Sequence, residues 1–191
     1  GDIIVNTDAS VRIAPDALKP LIARFSDPEV GLASGRDVSV AQTGGDRNRG
    51  ESGYVGYEMW VRDLETRVDS IVGASGCFVP SAFSRDFASA LITREHGSRA
   101  VTVNEAVCFV PRLGSLRREY RRKVRTMTRG LETLWYKRHL LNPLRYGRFA
   151  WMLASHKLIR WLAPWGLVLA VAGWLLLAVP SGWLLAVAPL A

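Results

Sequence analysis

Four groups of residues in this chain have types and spacings that chemistry can use. They are Asp8, the run Gly73-Ala74-Ser75-Gly76, Asp86, and the arginines Arg118, Arg122, Arg125 and Arg129. Asp8 follows Ile3-Ile4-Val5, an apolar run that reads as a buried strand emptying into a polar turn. Ligands of open α/β sheets bind outside the carboxyl ends of strands, so a carboxylate there is placed to hold a divalent cation. An aspartate at that point serves equally well as an Asx-turn or a helix N-cap. The glycine-rich run lets backbone approach a ligand closely, or simply turns a helix into a strand; it matches no nucleophile elbow, P-loop or dinucleotide fingerprint. Asp86 precedes a helix, where it acts as an N-cap or as a general base that takes a proton from an acceptor hydroxyl.

The arginines step by 4, 3 and 4 along one helical face. Tyr120, Val124, Met127, Leu131 and Leu134 step by 4, 3, 4 and 3 along the opposite face. An amphipathic helix with an arginine ridge follows. Guanidinium groups grip phosphates bidentately, and the same ridge is drawn to anionic lipid headgroups.

Positioning these groups requires alternating strands and helices, the signature of an α/β domain. Val30 to Ser34 and Val38 to Ala41 read as two strands, and so do Ala100 to Val103 and Ala106 to Val110. A short helix is expected from near Pro20 to Phe25, and Gln42 to Glu51 reads as a polar loop. A longer helix is expected over Tyr54 to Val72, its apolar stripe formed by Tyr57, Trp60, Val61, Leu64 and Val68. Phe87 to His96 reads as a helix stopped by Gly97.

Charge divides the 191 residues into three parts. Residues 1–111 carry 11 basic and 15 acidic groups, residues 112–160 carry 14 and 2, and residues 161–191 carry none. The apolar content of 49% excludes a disordered chain, and the uncharged end excludes a plain soluble domain. Two cysteines, Cys77 and Cys108, make no disulfide scaffold, and His96, His139 and His156 match no zinc spacing.

Trp161 to Val179 is uncharged and would span roughly 28 Å as a helix, close to the ~30 Å hydrocarbon core. After Pro180-Ser181-Gly182, Trp183 to Ala191 reads as the start of a second span. Arg145, Arg148, Lys157 and Arg160 precede the first span and no basic residue follows it, which puts residues 1–160 on the cytoplasmic face of a multi-pass inner-membrane protein. Tyr146, Phe149, Trp151 and Trp161 among those cations suit the headgroup level. Cations beside a membrane span point to lipid rather than nucleic acid as their partner. Both termini read as cut from a longer protein.

Taken in order, these residues resemble the C-terminal half of a bacterial membrane-bound family-two glycosyltransferase. Relatives of that kind include the synthases of cellulose, hyaluronan and poly-N-acetylglucosamine. Asp8-Ala9-Ser10 resembles the D-x-D region, with Ser10 in place of the second aspartate. Gly73-Ala74-Ser75-Gly76 resembles the acceptor-side loop, after a helix with Glu58 and Glu65. Arg85-Asp86-Phe87 resembles the motif that supplies the catalytic base, with Arg85 where an acidic residue is usual, and Glu105-Ala106 resembles the segment after a strand. Arg121-Arg122-Lys123-Val124-Arg125-Thr126 occupies the place of the Q-x-x-R-W motif.

The resemblance implies a GT-A-like (Rossmann-like) α/β catalytic domain truncated at its N-terminus over residues 1–111. Basic interfacial helices over 112–160 and transmembrane helices from 161 follow. It implies inverting transfer of a sugar from a nucleotide diphosphate sugar, a UDP-sugar foremost, to the hydroxyl of a glycan or lipid-linked acceptor. Asp8 would hold Mg²⁺ or Mn²⁺, Asp86 would deprotonate the acceptor, and Arg122 and Arg125 would hold the diphosphate. Gly73, Ala74, Ser75 and Gly76 would meet the acceptor, and membrane lipids would surround the anchor. The competing expectation is a non-catalytic membrane scaffold whose basic helix binds anionic lipid or a partner protein.

Overall fold

A computed structural model describes residues 3–40, 49–74, 85–111 and 116–181, without the side chains of 49–52, 85–86, 116 and 178–181. Two compact units divide the chain, Gly1–Leu153 and Ala154–Ala191. The first holds β1 (Arg12–Ile13), α1 (Leu18–Ala23), β2 (Val30–Val40), α2 (Arg49–Val68), α3 (Arg85–Glu95), β3 (Arg99–Pro111), α4 (Leu116–Tyr136) and α5 (Pro143–Leu153). The second begins with a π-helical turn, Ala154–Ile159, and continues as α6 (Arg160–Ser181).

This is a mixed α/β unit with a small sheet of order β1-β3-β2. β2 lies parallel to β3, while β1 pairs antiparallel with it through Arg12 and Ile13, opposite Phe109 and Cys108. α1 covers one face, where Ala17 and Leu21 pack with Val30, Ala33, Val101, Val103, Ala106 and Cys108. On the other face Leu32 and Ala100 pack with Ile71, Ala74 and Ala90 of α3. Pro20 falls in the first turn of α1, where its missing N–H would have had no helical partner, so the helix starts two residues earlier than expected.

Several expectations need correction. The pairs of strands predicted on either side of Gly35-Arg36-Asp37 and of Asn104-Glu105 are single long strands. Gly35 pairs with Val103 and Arg36 with Val107, so Asn104, Glu105 and Ala106 form a bulge that absorbs the break in pattern. Glu105 therefore sits inside β3, not after a strand. Ile3, Ile4 and Val5 form no strand and are exposed; they line an apolar recess of about 240 Å³ with Leu18, Leu21, Phe25, Leu32 and Ala33. The polar loop expected from Gln42 to Glu51 has already become helix at Arg49, and residues 41–48 lie outside the described ones.

A further correction concerns which face of α2 turns inward. Glu58, Met59, Arg62 and Glu65 are buried, whereas Tyr57, Trp60, Leu64 and Val68 are exposed. Local bonding explains the inversion. α2 runs antiparallel to β3 along the edge that the two-residue β1 leaves open. There Thr66 Oγ1 accepts the Thr102 N–H at 3.0 Å, and Asp63 Oδ1 accepts from Asn104 Nδ2 at 2.9 Å. Beyond the helix, Ser70 Oγ accepts the Ala100 N–H at 2.9 Å, and Ile71 donates to the Ala100 carbonyl at 2.9 Å. Strand-edge amides need partners, and polar side chains supply them better than an apolar stripe would.

α3 ends as predicted at Gly97, whose φ is +85°. Ser98 N–H bonds to the Thr93 carbonyl and Gly97 N–H to the Arg94 carbonyl, both at 3.1 Å, a Schellman closure. The turn leads directly into β3 and packs against β2, where a Cβ on Gly31 would lie 2.7 Å from Ser98 Cβ and 3.0 Å from Thr93 Cγ2. Arg94 pairs with Asp69 at 3.2 Å, and Glu95 is bound by Lys137 and, at 2.9 Å, by His139.

α4 is the amphipathic helix expected, but of its apolar stripe only Leu134 packs inward. Glu119, Thr133 and Leu134 are buried; Tyr120, Val124, Met127 and Leu131 are exposed. α5 bends at Gly147, whose φ of 50° and ψ of −126° are not helical. Among the described residues one helical stretch, Pro143–Leu177, is long and apolar enough to cross a membrane. α6 runs through Pro180 to Ser181, where a turn was expected, and the second span expected from Trp183 lies outside the described residues.

Candidate functional site

The carboxyl ends of the parallel strands, Val40 and Pro111, pair with each other and set the place where an α/β sheet binds ligands. β1 lies antiparallel against Phe109 and Cys108, so the turn just before it, with Asp8, lies beside this end. Asp8 is exposed; its Oδ1 accepts the Ser10 N–H at a long 3.4 Å and its carbonyl accepts the Val11 N–H at 3.1 Å. This is the Asx-turn that the sequence allowed. One carboxylate oxygen is thus only weakly engaged.

Segment 70–74 runs alongside the amino half of β3. Ile71 bonds at Ala100, near the start of β3, and Ala74 bonds at Arg62, one turn before the helix residue that meets Thr102. Two buried side chains of α2 hold it: Val72 N–H donates to Glu65 Oε2 at 3.1 Å, and Arg62 Nη2 donates to the Ala74 carbonyl at 3.0 Å. The two bonds flank Gly73. Arg62 is only 7% exposed, and its Nε and Nη1 have no hydrogen-bond partner among the described residues. Gly73 and Ala74 are buried; Ser75 and Gly76 lie outside the described residues.

α3 leads into β3 through a two-residue turn, and its last turn touches Gly31 near the start of β2. Its first turn therefore points toward the carboxyl ends, and Asp86 is its second residue. The Asp86 side chain lies outside the described ones. α4 starts five residues past Pro111. Arg125 is exposed and Arg122 half-buried, both on the flank away from the apolar stripe.

The structure thus sets the turn with Asp8 and the first turn of α3 toward the carboxyl end of the sheet, while the Gly73–Ala74 segment is held beside Arg62 and Ala100 along the amino half of β3. A polar recess of about 340 Å³ lies at the amino half of β3, lined by Arg24, Asp63, Arg99, Asn104 and Glu105 among others. It contains none of the predicted site residues. Among the described residues no three His, Cys, Asp or Glu side chains cluster to hold a metal. Magnesium, however, is commonly bound by one or two protein carboxylates with substrate phosphates and waters. A single exposed Asp8 fits that mode.

Sequence reasoning missed Arg62 as a structural contact of the glycine segment. The signal was present in Glu58, Arg62 and Glu65, which recur at i, i+4 and i+7 and mark a charged helical face. No protein-family model matches the chain, and searches of curated proteins and of solved structures likewise return no match.

Proposed function

We propose that this chain is part of a membrane-anchored, inverting glycosyltransferase that moves a sugar from a nucleotide diphosphate sugar to an acceptor hydroxyl. The observation that carries the reading is the convergence just described on the carboxyl ends of two parallel strands. An acidic turn and the first turn of α3, with Asp86 its second residue, lie toward that end, and the arginine helix begins five residues beyond it. On this reading the fold is a truncated Rossmann-like GT-A domain, and Pro143–Leu177 supplies the anchor at the cytoplasmic face of the inner membrane.

Each part has a chemical task. A divalent cation at Asp8 would neutralise charge that develops on the departing diphosphate. Asp86 accepts the proton of the attacking hydroxyl, so that the oxygen reaches the anomeric carbon from the face opposite the leaving group. Arg122 and Arg125, on the flank of α4 away from its apolar stripe, hold the diphosphate bidentately. Gly73 and Ala74 are buried and position the segment, so contact with the acceptor falls to Ser75 and Gly76.

A second reading, a non-catalytic membrane scaffold, draws on one observation: Asp8 already serves its own turn. Full-length protein in membranes separates the two when supplied with UDP-sugars and Mn²⁺. Asp8→Asn and Asp86→Asn are each expected to reduce transfer by about 100-fold or more, with membrane insertion unchanged. Transfer that survives both changes refutes Asp8 and Asp86 as the site, and an unchanged protein that transfers no sugar refutes the enzyme and leaves the scaffold.

A further inference from the structure

α2 is folded inside out for a helix on a water-soluble domain. Its ionic side chains Glu58, Arg62 and Glu65 point inward. Outward it shows Tyr57, Trp60, Leu64 and Val68, at 50%, 59%, 40% and 48% exposure. At about 100° per residue these four fall within one arc, and Tyr54 sits at its border. The Tyr57 and Trp60 rings lie side by side, tilted 41° to each other with centroids 6.2 Å apart.

The arc does not end with α2. Lys123 Nζ of α4 lies 5.8 Å from the centre of the Tyr54 ring, and the same ammonium pairs with the buried Glu119 at 2.6 Å. That contact joins α2 to the flank of α4 next to its own exposed stripe, Tyr120, Val124, Met127 and Leu131. Arg117, Arg121 and Lys123 border the stripe, and α4 as a whole carries seven basic and two acidic residues. Trp and Tyr ringed by Lys and Arg are the side chains that settle at a bilayer's headgroup level, the cations reaching outward on apolar stems.

We infer that the outward face of α2 and the apolar stripe of α4 together form one docking surface for an anionic lipid bilayer. This rests on the membrane-anchored part of the reading above and is independent of sugar transfer. Charge complementarity selects lipid over a second protein: the border is cationic on α4, and the surface between is aromatic and aliphatic.

The test uses the full chain reconstituted in bilayers of phosphatidylcholine and phosphatidylglycerol. Cys77 is replaced by Ser, and Cys108 is buried and shielded from labelling. Spin labels are placed singly through Trp60→Cys, Leu64→Cys and Val124→Cys. Lys19→Cys serves as the water control and Leu169→Cys as the control within the apolar helix. Relaxation by oxygen and by a neutral nickel chelate is compared at each position. Labels at 60, 64 and 124 are expected to favour oxygen over nickel several-fold relative to position 19. Nickel-dominated relaxation at 60 and 64 overturns the proposal, as does shielding from both reagents, which would show a protein surface there. Nickel access at 169 would instead refute the membrane anchor itself.

Discussion

Gly31→Ala sets two physical arguments against each other with opposite signs. A glycine inside a strand gives up more backbone freedom on folding than alanine does, so entropy alone makes alanine stabilising by about 0.4–1 kcal/mol. Geometry says otherwise. The new Cβ would stand 2.7 Å from Ser98 Cβ and 3.0 Å from Thr93 Cγ2, where carbon pairs rest at about 3.5–4.0 Å. Neither neighbour is a free side-chain tip. Ser98 is held by the Schellman closure, and Thr93 Oγ1 donates to the Ser89 carbonyl at 2.8 Å. The whole end of α3 must then shift by several tenths of an ångström, against the Arg94–Asp69 and Glu95–Lys137 pairs. Overpacking of this kind costs about 1–3 kcal/mol, which outweighs the entropy gain.

For a chain of this length a net loss of about 1–2 kcal/mol lowers the melting temperature by roughly 2–8 °C. Near-UV circular dichroism on the full chain in detergent would read it. Adding Ser98→Gly removes the nearest clashing atom, so the double variant should recover at least about half of the loss. An unchanged or raised melting temperature in Gly31→Ala would refute the close-approach argument.

Two further outcomes follow from side-chain placement. Glu65→Leu leaves the buried Val72 N–H without its acceptor, at a cost of about 1–3 kcal/mol, whereas Glu65→Gln keeps an acceptor oxygen. Hydrogen exchange at Val72 should accelerate about 5- to 150-fold in the first variant and far less in the second; equal exchange in both would show that Glu65 does not hold the segment. The Lys137 bond, and to a lesser degree the Lys137 and His139 charges, hold Glu95 below its ordinary range although partial burial pushes the other way. A depressed folded-state value means the contribution is present above the ordinary glutamate value and is lost as pH falls through the folded one. Wild-type stability should therefore drop more steeply than that of Glu95→Gln between about pH 6 and about pH 3, and parallel curves would refute the assignment.

Local signals in the sequence carried much of the architecture. Gly97 stops α3 because only a residue at ease with positive φ closes that turn, and glycine says so by its type. The stripes of α4 and the apolar end of the chain follow from periodicity and length, which do not depend on neighbours. What the sequence could not disclose was decided by partners distant along the chain. α2 carries an apolar stripe that reads as its core face, yet the open edge of β3 drew its polar residues inward. The strand breaks at Gly35 and Asn104 look like ends until a bulge lets one ladder continue through both. At the candidate site, Asp8 and the glycine segment were legible from residue type, while the hold of Arg62 and Glu65 on that segment is tertiary and was not.

Gly147 has a mechanical meaning. Its dihedral angles are open to glycine and strained for any residue with a Cβ, so α5 is two short rods meeting at a joint, not one beam. Tyr146 is seated before the joint, Phe149 and Leu153 after it, so each rod has its own footing. A twisting load that enters through the C-terminal rod is taken up as rotation about one residue's backbone bonds. Little of that torque is left to lever the sheet and the residues grouped at its carboxyl end.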